Sequence, residues 1–361
     1  MSAKRDGHFM RQALSLARRG LGRVWPNPAV GCVIVKQDRV VGRGWTQPGG
    51  RPHAEAEALT RAGNESFGAT AYVTLEPCAH HGETPPCAEA LVGAGVARAV
   101  IAIRDPDTRV AGRGIEILKA AGVEITENVE AGAARNLNIG FLSRVERGRP
   151  FVGLKVATSL DGKIATASGH SQWITGSEAR ALVHQLRDQH DAILTGIGTV
   201  LADDPMLNCR LPGRQSQSVR VVLDGQLRMP ETAKMVRSSD AIPLWLFSNK
   251  AGAHELGQAR LITVPPGRNV SIDPQTVLTK LAEAGITRVM IEAGAKVVGS
   301  FLSAGLVDQI YWFRGDQVIG GDGLAVFDPL NVVDLEKAPR FQRTLSKRVG
   351  KDLFEIFSVR A

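Results

Sequence analysis

Short apolar runs of strand length alternate with stretches of helical period along the first 145 residues. The pattern predicts a helix over 8–19, strands over 31–35, 71–75 and 99–103, and helices over 87–92 and 115–121. A further helix opens behind Pro52: Ala54-Glu55-Ala56-Glu57-Ala58-Leu59 is a strong helix former, and Gly63 supplies a stop. Pro85-Pro86 stand where a helix beginning at Cys87 has no use for their missing N–H groups. Alternation of this kind argues for a sheet covered by helices. The polar stretch Glu146-Arg147-Gly148-Arg149-Pro150 then reads as a linker. Beyond it the pattern predicts strands over 151–157, 191–195, 288–291 and 307–312, and helices over 177–189 and 295–303, the last stopped by Gly305. A chain of 361 residues exceeds a usual single core, so two α/β domains are expected, 1–146 and 150–361.

The chemistry sits at the ends of these elements. His53-Ala54-Glu55 opens the second helix, Pro77-Cys78 follows the second strand, and Cys87 opens the next helix. Residues i and i+2 diverge on a continuous helix, so His53 and Glu55 share one site only where the chain has just turned into the helix. One imidazole and two thiolates give three ligands to a tetrahedral Zn²⁺ and leave the fourth position for water, whose pKa the metal lowers to about 7. Glu55, unliganded, is then the proton shuttle. Hydrolytic removal of an amino group from a pyrimidine or purine ring needs this set. His80 and His81 between the cysteines leave open a structural Cys₂His₂ knot, but such a site has no use for Glu55 beside His53. A Cys78–Cys87 disulfide is disfavoured with only four cysteines and no secretory context. Cys32 reads as a small core residue; Cys209 receives no role.

Charge and composition narrow the field. The net charge of +8 is scattered, and aromatics make up 5% of the chain, so no stacking platform for nucleic acid is apparent. A basic surface suits phosphorylated small molecules. No apolar run reaches bilayer length, and Lys4 and Arg5 have no apolar segment behind them. A cytoplasmic homo-oligomer (dimer or tetramer), with no membrane or nucleic-acid partner, is therefore expected.

Three runs carry a specific resemblance: Pro26-Asn27-Pro28-Ala29-Val30-Gly31-Cys32-Val33-Ile34-Val35, then His53-Ala54-Glu55, then the stretch from Thr74 to Cys87 that ends in Thr84-Pro85-Pro86-Cys87. Together they resemble the bifunctional riboflavin-biosynthesis deaminase–reductases. Most zinc deaminases of nucleosides, tRNA or DNA separate the cysteines by two residues, whereas here eight intervene. The resemblance implies a cytidine-deaminase-like α/β/α domain followed by a dihydrofolate-reductase-like α/β domain. It also implies zinc on His53, Cys78 and Cys87, Glu55 as catalyst, and Asn27 on the pyrimidine; a plain turn asparagine is the alternative for Asn27. One position departs from the family: Glu83 stands where relatives carry Arg or Lys before Thr-Pro-Pro-Cys. A carboxylate there would repel a substrate phosphate.

The second half carries a different chemistry. Gly196-Ile197-Gly198 after a strand lacks the third glycine of a dinucleotide fingerprint, Leu201 standing in its place. The longer string from Thr158 to Pro205 is similar to the reductase half of the same family, which takes hydride from NADPH to convert a ring-opened ribose to a ribityl chain. That resemblance implies Ala157, Trp173, Thr199 and Asp203 along the cofactor, and Ser171, Arg187, Leu207, Arg210 and Glu292 on the substrate. Arginine suits its phosphate. The strand ending at Ile291 leads through Glu292-Ala293-Gly294 into a helix, and strand, glycine and helix N-terminus together make an anion site. The NADPH diphosphate is placed there, over Gly294, Ala295, Lys296, Val297, Val298, Gly299 and Ser300. After the strand over 307–312 relatives carry Ala-Pro, whereas this chain reads Phe313-Arg314-Gly315-Asp316, a change expected to loosen the loop. The resemblance thins between 226 and 286. The rival readings are a deaminase of another nucleotide or nucleic-acid base with an inactive or binding-only C-terminal domain, and a non-catalytic zinc-folded module.

Overall fold

The computed structural model describes residues 3–81, 85–107, 111–213, 217–251, 256–267 and 272–360. The chain forms two compact units, Met1–Arg149 and Pro150–Ala361. The first unit runs α1 (Ala3–Ala17), β1 (Gly31–Lys36), β2 (Arg39–Trp45), α2 (Ala54–Ala62), β3 (Thr70–Val73), α3 (Cys87–Gly93), β4 (Arg98–Ile101), α4 (Arg113–Ala120), β5 (Glu124–Glu127), α5 (Ala131–Leu137) and α6 (Ile139–Arg147). Its sheet order is β2-β1-β3-β4-β5. The pairs β1–β2 and β1–β3 are antiparallel, and β3, β4 and β5 are parallel.

Glycine decides how closely two helices lie on this sheet. A Cβ on Gly31 would fall 1.9 Å from the Ala13 carbonyl oxygen of α1, and one on Gly44 would fall 2.0 Å from the Ala54 oxygen of α2. Cys32 pairs directly with Gly44, so Gly31 and Gly44 face opposite sides and the two helices cover opposite faces. Burial of Val33, Ile34, Tyr72, Val100 and Ile101 fills the layers between. Seating α2 on Gly44 also places its first turn, with Glu55, over the buried thiol of Cys32. Asp6 on α1 is buried and accepts from both terminal nitrogens of Arg98 and from the Tyr72 hydroxyl, which ties that helix to β3 and β4.

The second unit runs β6 (Phe151–Thr158), β7 (Lys163–Ala165), α7 (Ser177–Asp188), β8 (Ala192–Gly196), α8 (Ile197–Asp203), β9 (Val219–Leu223), α9 (Lys234–Arg237), β10 (Leu244–Ser248), β11 (Arg260–Thr263), α10 (Pro274–Glu283), β12 (Arg288–Ile291), α11 (Ala295–Ser303), β13 (Gln309–Arg314), β14 (Leu324–Ala325), β15 (Phe341–Val349) and β16 (Asp352–Val359). Its main sheet has the order β11-β10-β9-β8-β12-β6-β13-β16-β15. Strands from β11 through β13 are parallel to their neighbours, and β16 and β15 close the edge as an antiparallel hairpin. β12 returns from the far side of the sheet to insert between β8 and β6. The carboxyl ends of these three neighbours therefore form the crevice where open α/β sheets bind ligands.

Several sequence expectations are corrected. The first helix starts at Ala3 rather than residue 8, held there by the buried Asp6–Arg98 pair. β2 is not among the strands the pattern predicts; Gly42 and Gly44 interrupt it, and those glycines are what α2 rests on. The expected linker is not loose: Glu146 and Arg147 complete α6, Gly148 ends it with φ 66°, and β6 begins at Phe151. β13 extends through Phe313 and Arg314, since Phe313 is fully buried. Gly44→Ala should force α2 off the sheet. A loss of about 1–3 kcal/mol of stability in chemical denaturation, as for other overpacked cores, is the expected outcome.

Candidate active sites

In the first unit, three elements converge at the carboxyl end of β3. His53 is the N-cap of α2, in extended backbone with φ −71° and ψ 161°, and Glu55 lies in the following turn. Cys78 stands five residues past β3, and Cys87 is the first residue of α3. His53 Nδ1 lies 3.3 Å from Cys87 Sγ and 3.7 Å from Cys78 Sγ. The Cys87 backbone N–H donates to Cys78 Sγ at 3.3 Å. All three donor atoms fall within 4.8 Å of one another, and His80 and His81 are not among them. A tetrahedral site with about 2.3 Å to sulfur and about 2.0 Å to nitrogen sets such donors about 3.5 Å apart, so the triangle fits a zinc ion.

The electrostatics point the same way. A hydrogen bond from the Cys87 thiol, reinforced by His53 and the Cys87 N–H, lowers Cys78 to about 4 against the effect of burial. The same sulfur–sulfur contact, with burial and the Glu55 charge, drives Cys87 well above the ordinary thiol range. A cation among these donors would favour both sulfurs as thiolates. Glu55 is 3% exposed, and burial followed by the Cys78 charge pushes its carboxyl up to about 7. That is the range wanted of a group that takes and returns a proton at neutral pH.

Asn27 sits against Gly50, in the segment that leads to His53. The buried Asn138 side chain pairs with both the N–H and the carbonyl of Ala29, each at 3.0 Å. The Asn27 amide presses on Gly50, where a Cβ would fall 1.9 Å from its nitrogen. Sequence reasoning missed Asp105, just beyond β4, whose carboxyl burial raises to about 6. A strand of apolar residues running into Asp105-Pro106-Asp107 was the available signal. Glu83 lies outside the described residues.

In the second unit, register aligns the site. Ile291 of β12 pairs with Leu154 and Leu194, so Glu292 falls level with Lys155 and Thr195. Arg187, late on α7, grips Glu292 with two nitrogens at 2.6 and 2.9 Å and donates to the Asn208 carbonyl at 2.9 Å. Its side chain is buried, not surface, and the fork expected to hold a phosphate is occupied by this carboxylate. Lys155 Nζ stands 4.0 Å from Glu292. Burial opposes charge on Glu292, but Arg187 and then Lys155 outweigh it and hold the carboxyl at about 2. Burial lowers Lys155 despite the Glu292 charge.

The two expected cofactor loops meet. Gly196 approaches Val297, its Cβ position 2.7 Å from that side chain, and Gly294 approaches Thr199 Oγ1. Thr199 and Asp203 lie on α8, and Ala157 near the end of β6. Gly294 caps α11 in extended backbone, and the N–H groups of Ala295, Lys296 and Val297 precede the first helical bond, from Val298 to Gly294. Val298 and Gly299 face inward, and Ser300 turns its hydroxyl back to the Val297 carbonyl. Trp173 is 66% exposed with the Arg180 guanidinium 4.4 Å over its ring. Ser171 is half-buried in the loop before it, and Arg210 is exposed with its backbone N–H on His184. The Leu207 side chain packs in the core, with backbone φ 47°. The loop that lacks Ala-Pro is held by other means than a proline. Gly315 donates to the Thr158 carbonyl and has no room for a Cβ, which would fall 2.4 Å from the Ile174 oxygen. Asp161 accepts from the N–H groups of Ile319 and Gly320.

Comparisons with known proteins match both units. The family described as RibD C-terminal domain matches residues 150–354, and the one described as cytidine and deoxycytidylate deaminase zinc-binding region matches residues 3–103. The riboflavin biosynthesis protein RibD of Escherichia coli is 39% identical over 96% of this chain and 98% of its own length. The protein of the same description from Bacillus amyloliquefaciens is 42% identical over 96% of this chain and 95% of its own. The solved structure of Acinetobacter baumannii RibD superposes with a TM-score of 0.91 at 40% identity, covering 100% of both chains. That of a diaminohydroxyphosphoribosylaminopyrimidine deaminase/5-amino-6-(5-phosphoribosylamino)uracil reductase from Thermotoga maritima gives 0.89 at 34% identity, again over 100% of both.

Proposed function

This chain belongs to the RibD family of bifunctional riboflavin-biosynthesis deaminase–reductases, and from that premise we propose which of its residues carry each reaction. It is a zinc-dependent deaminase and an NADPH-dependent reductase, with a cytidine-deaminase-like unit followed by a reductase unit. Its substrate is 2,5-diamino-6-(5-phosphoribosylamino)pyrimidin-4(3H)-one, hydrolysed at the ring amine and then reduced at the ribosyl side chain.

The observation that carries the first assignment is the buried Glu55 carboxylate beside the His53, Cys78 and Cys87 triangle. These three residues hold the zinc, which when bound supplies a water of pKa about 7. Glu55 would take one proton from that water and give it to the ring nitrogen, then carry the remaining hydroxyl proton to the amine, which leaves as ammonia as the ring carbon becomes a carbonyl. Asn27, fixed by Gly50 and the Asn138 clamp, meets the pyrimidine edge.

In the second unit, NADPH supplies hydride, with its diphosphate over the N–H groups that open α11. Glu292, ionised at neutral pH, carries no proton to give. Lys155, its ammonium destabilised by burial, is the donor to the sugar oxygen, and Arg187 holds Glu292 in place beneath it. Arg210, exposed, is the cation left for the substrate phosphate. The scattered positive charge and the sparse aromatics support a small phosphorylated substrate rather than nucleic acid. Among the described residues no helix is long and apolar enough to cross a membrane.

Two substitutions test the assignments separately. Glu55→Gln should lower ammonia release by about 10²-fold or more while metal analysis still finds zinc; near-normal release would remove Glu55 from its role. Lys155→Met should lower NADPH oxidation with the deaminated product by about 10²-fold and leave ammonia release unchanged. An unaffected reductase would assign the proton to solvent.

A further inference from the structure

Glu76 lies two residues before Cys78, and the chemistry above makes no use of its side chain. That side chain is buried, with 3% exposure. Oε2 accepts from the backbone N–H of Asp105 at 3.3 Å and of Gly112 at 3.0 Å. Oε1 accepts from Gly114 at 3.0 Å and Ile115 at 3.4 Å. Gly114 and Ile115 belong to the first turn of α4, whose N–H groups have no partner within the helix. The start of this helix is pressed against the peptide that precedes Cys78. A Cβ on Gly114 would lie 2.0 Å from the Pro77 carbonyl oxygen. The backbone N–H of Glu76 donates to the carbonyl of Ile103, just past the neighbouring strand, at 2.9 Å, and Asp105 follows two residues on. One carboxylate thus joins three segments: the loop that delivers Cys78, the loop that carries Asp105, and the end of α4.

We propose that Glu76 is a positioning residue of the deaminase site, fixing the Cys78 sulfur through its backbone and tying the Asp105 loop to it. The inference rests on Cys78 being a metal ligand. Groups that orient a ligand in this way act on metal retention and on turnover rather than on the bond-making step. An amide in place of the carboxylate turns an NH₂ group toward two backbone donors, and an aspartate falls one methylene short of all four.

The test uses the full-length protein carrying Glu76→Gln or Glu76→Asp, with values expressed per zinc-bound molecule so that a partly folded preparation does not count as a slow enzyme. Glu76→Gln should hand zinc to a competing chelator about tenfold faster or more and lose about tenfold or more in kcat/KM for ammonia release, as outer-shell substitutions do. Glu76→Asp should fall between it and wild type. NADPH oxidation with the deaminated product, carried by the other unit, should be unchanged. If Glu76→Gln yields no folded first unit, Glu76→Asp is read by the same criteria. Zinc release and kcat/KM equal to wild type in the folded variant would overturn the proposal and leave Glu76 a helix cap. Wild-type protein whose zinc survives Cys78→Ala would instead sink the ligand assignment beneath it.

Discussion

Two cysteine sulfurs, an imidazole and a buried carboxylate are held together in one site, where the contact between the sulfurs holds one thiol low and drives the other up. That constraint organises the first unit. Isolated charge in a low-dielectric site is unfavourable unless a counter-charge is supplied, and a divalent cation among these donors supplies it. The sheet and helices are arranged so that the donors cannot drift apart: α2 is seated on Gly44, β3 delivers Cys78, and the Cys87 N–H points at the Cys78 sulfur. Burial and the Cys78 charge raise the Glu55 carboxyl beside those donors.

The second unit meets the opposite problem with a different balance. Its buried carboxylate, Glu292, is neutralised by a bidentate arginine and an adjacent lysine. Such a cluster is costly to bury and costly to break, and its value lies in the defined protonation states it imposes. Arg187 and Lys155 hold Glu292 ionised, while burial disfavours the charge on Lys155. The insertion of β12 between β8 and β6 brings this cluster level with the glycine turn at Gly196 and the opening of α11.

Much of this was legible in the sequence where local pattern and chemistry coincide. The His53-Ala54-Glu55 turn, the proline pair before Cys87 and the strand–glycine–helix at Gly294 each declare their geometry, because caps and turns are set within a few residues. What was not legible depends on partners far along the chain. β2 goes unassigned in the sequence until α2 is known to lie on its glycines. Arg187 reads as a free cation until Glu292, 105 residues away, is seen in its grip. The change at Gly315 reads as a loosened loop until Ile174 is found filling the space a side chain would need. Strands β9 to β11 and the β15–β16 hairpin carried no motif, and their place follows from pairing alone.

X-ray absorption at the zinc edge on the full-length protein addresses the central claim most directly. The arrangement calls for two sulfurs at about 2.3 Å, one imidazole nitrogen at about 2.0 Å and one oxygen from solvent in the remaining position. A fourth side-chain ligand, from a second histidine or from Glu55 itself, would close the position the chemistry needs and contradict the account.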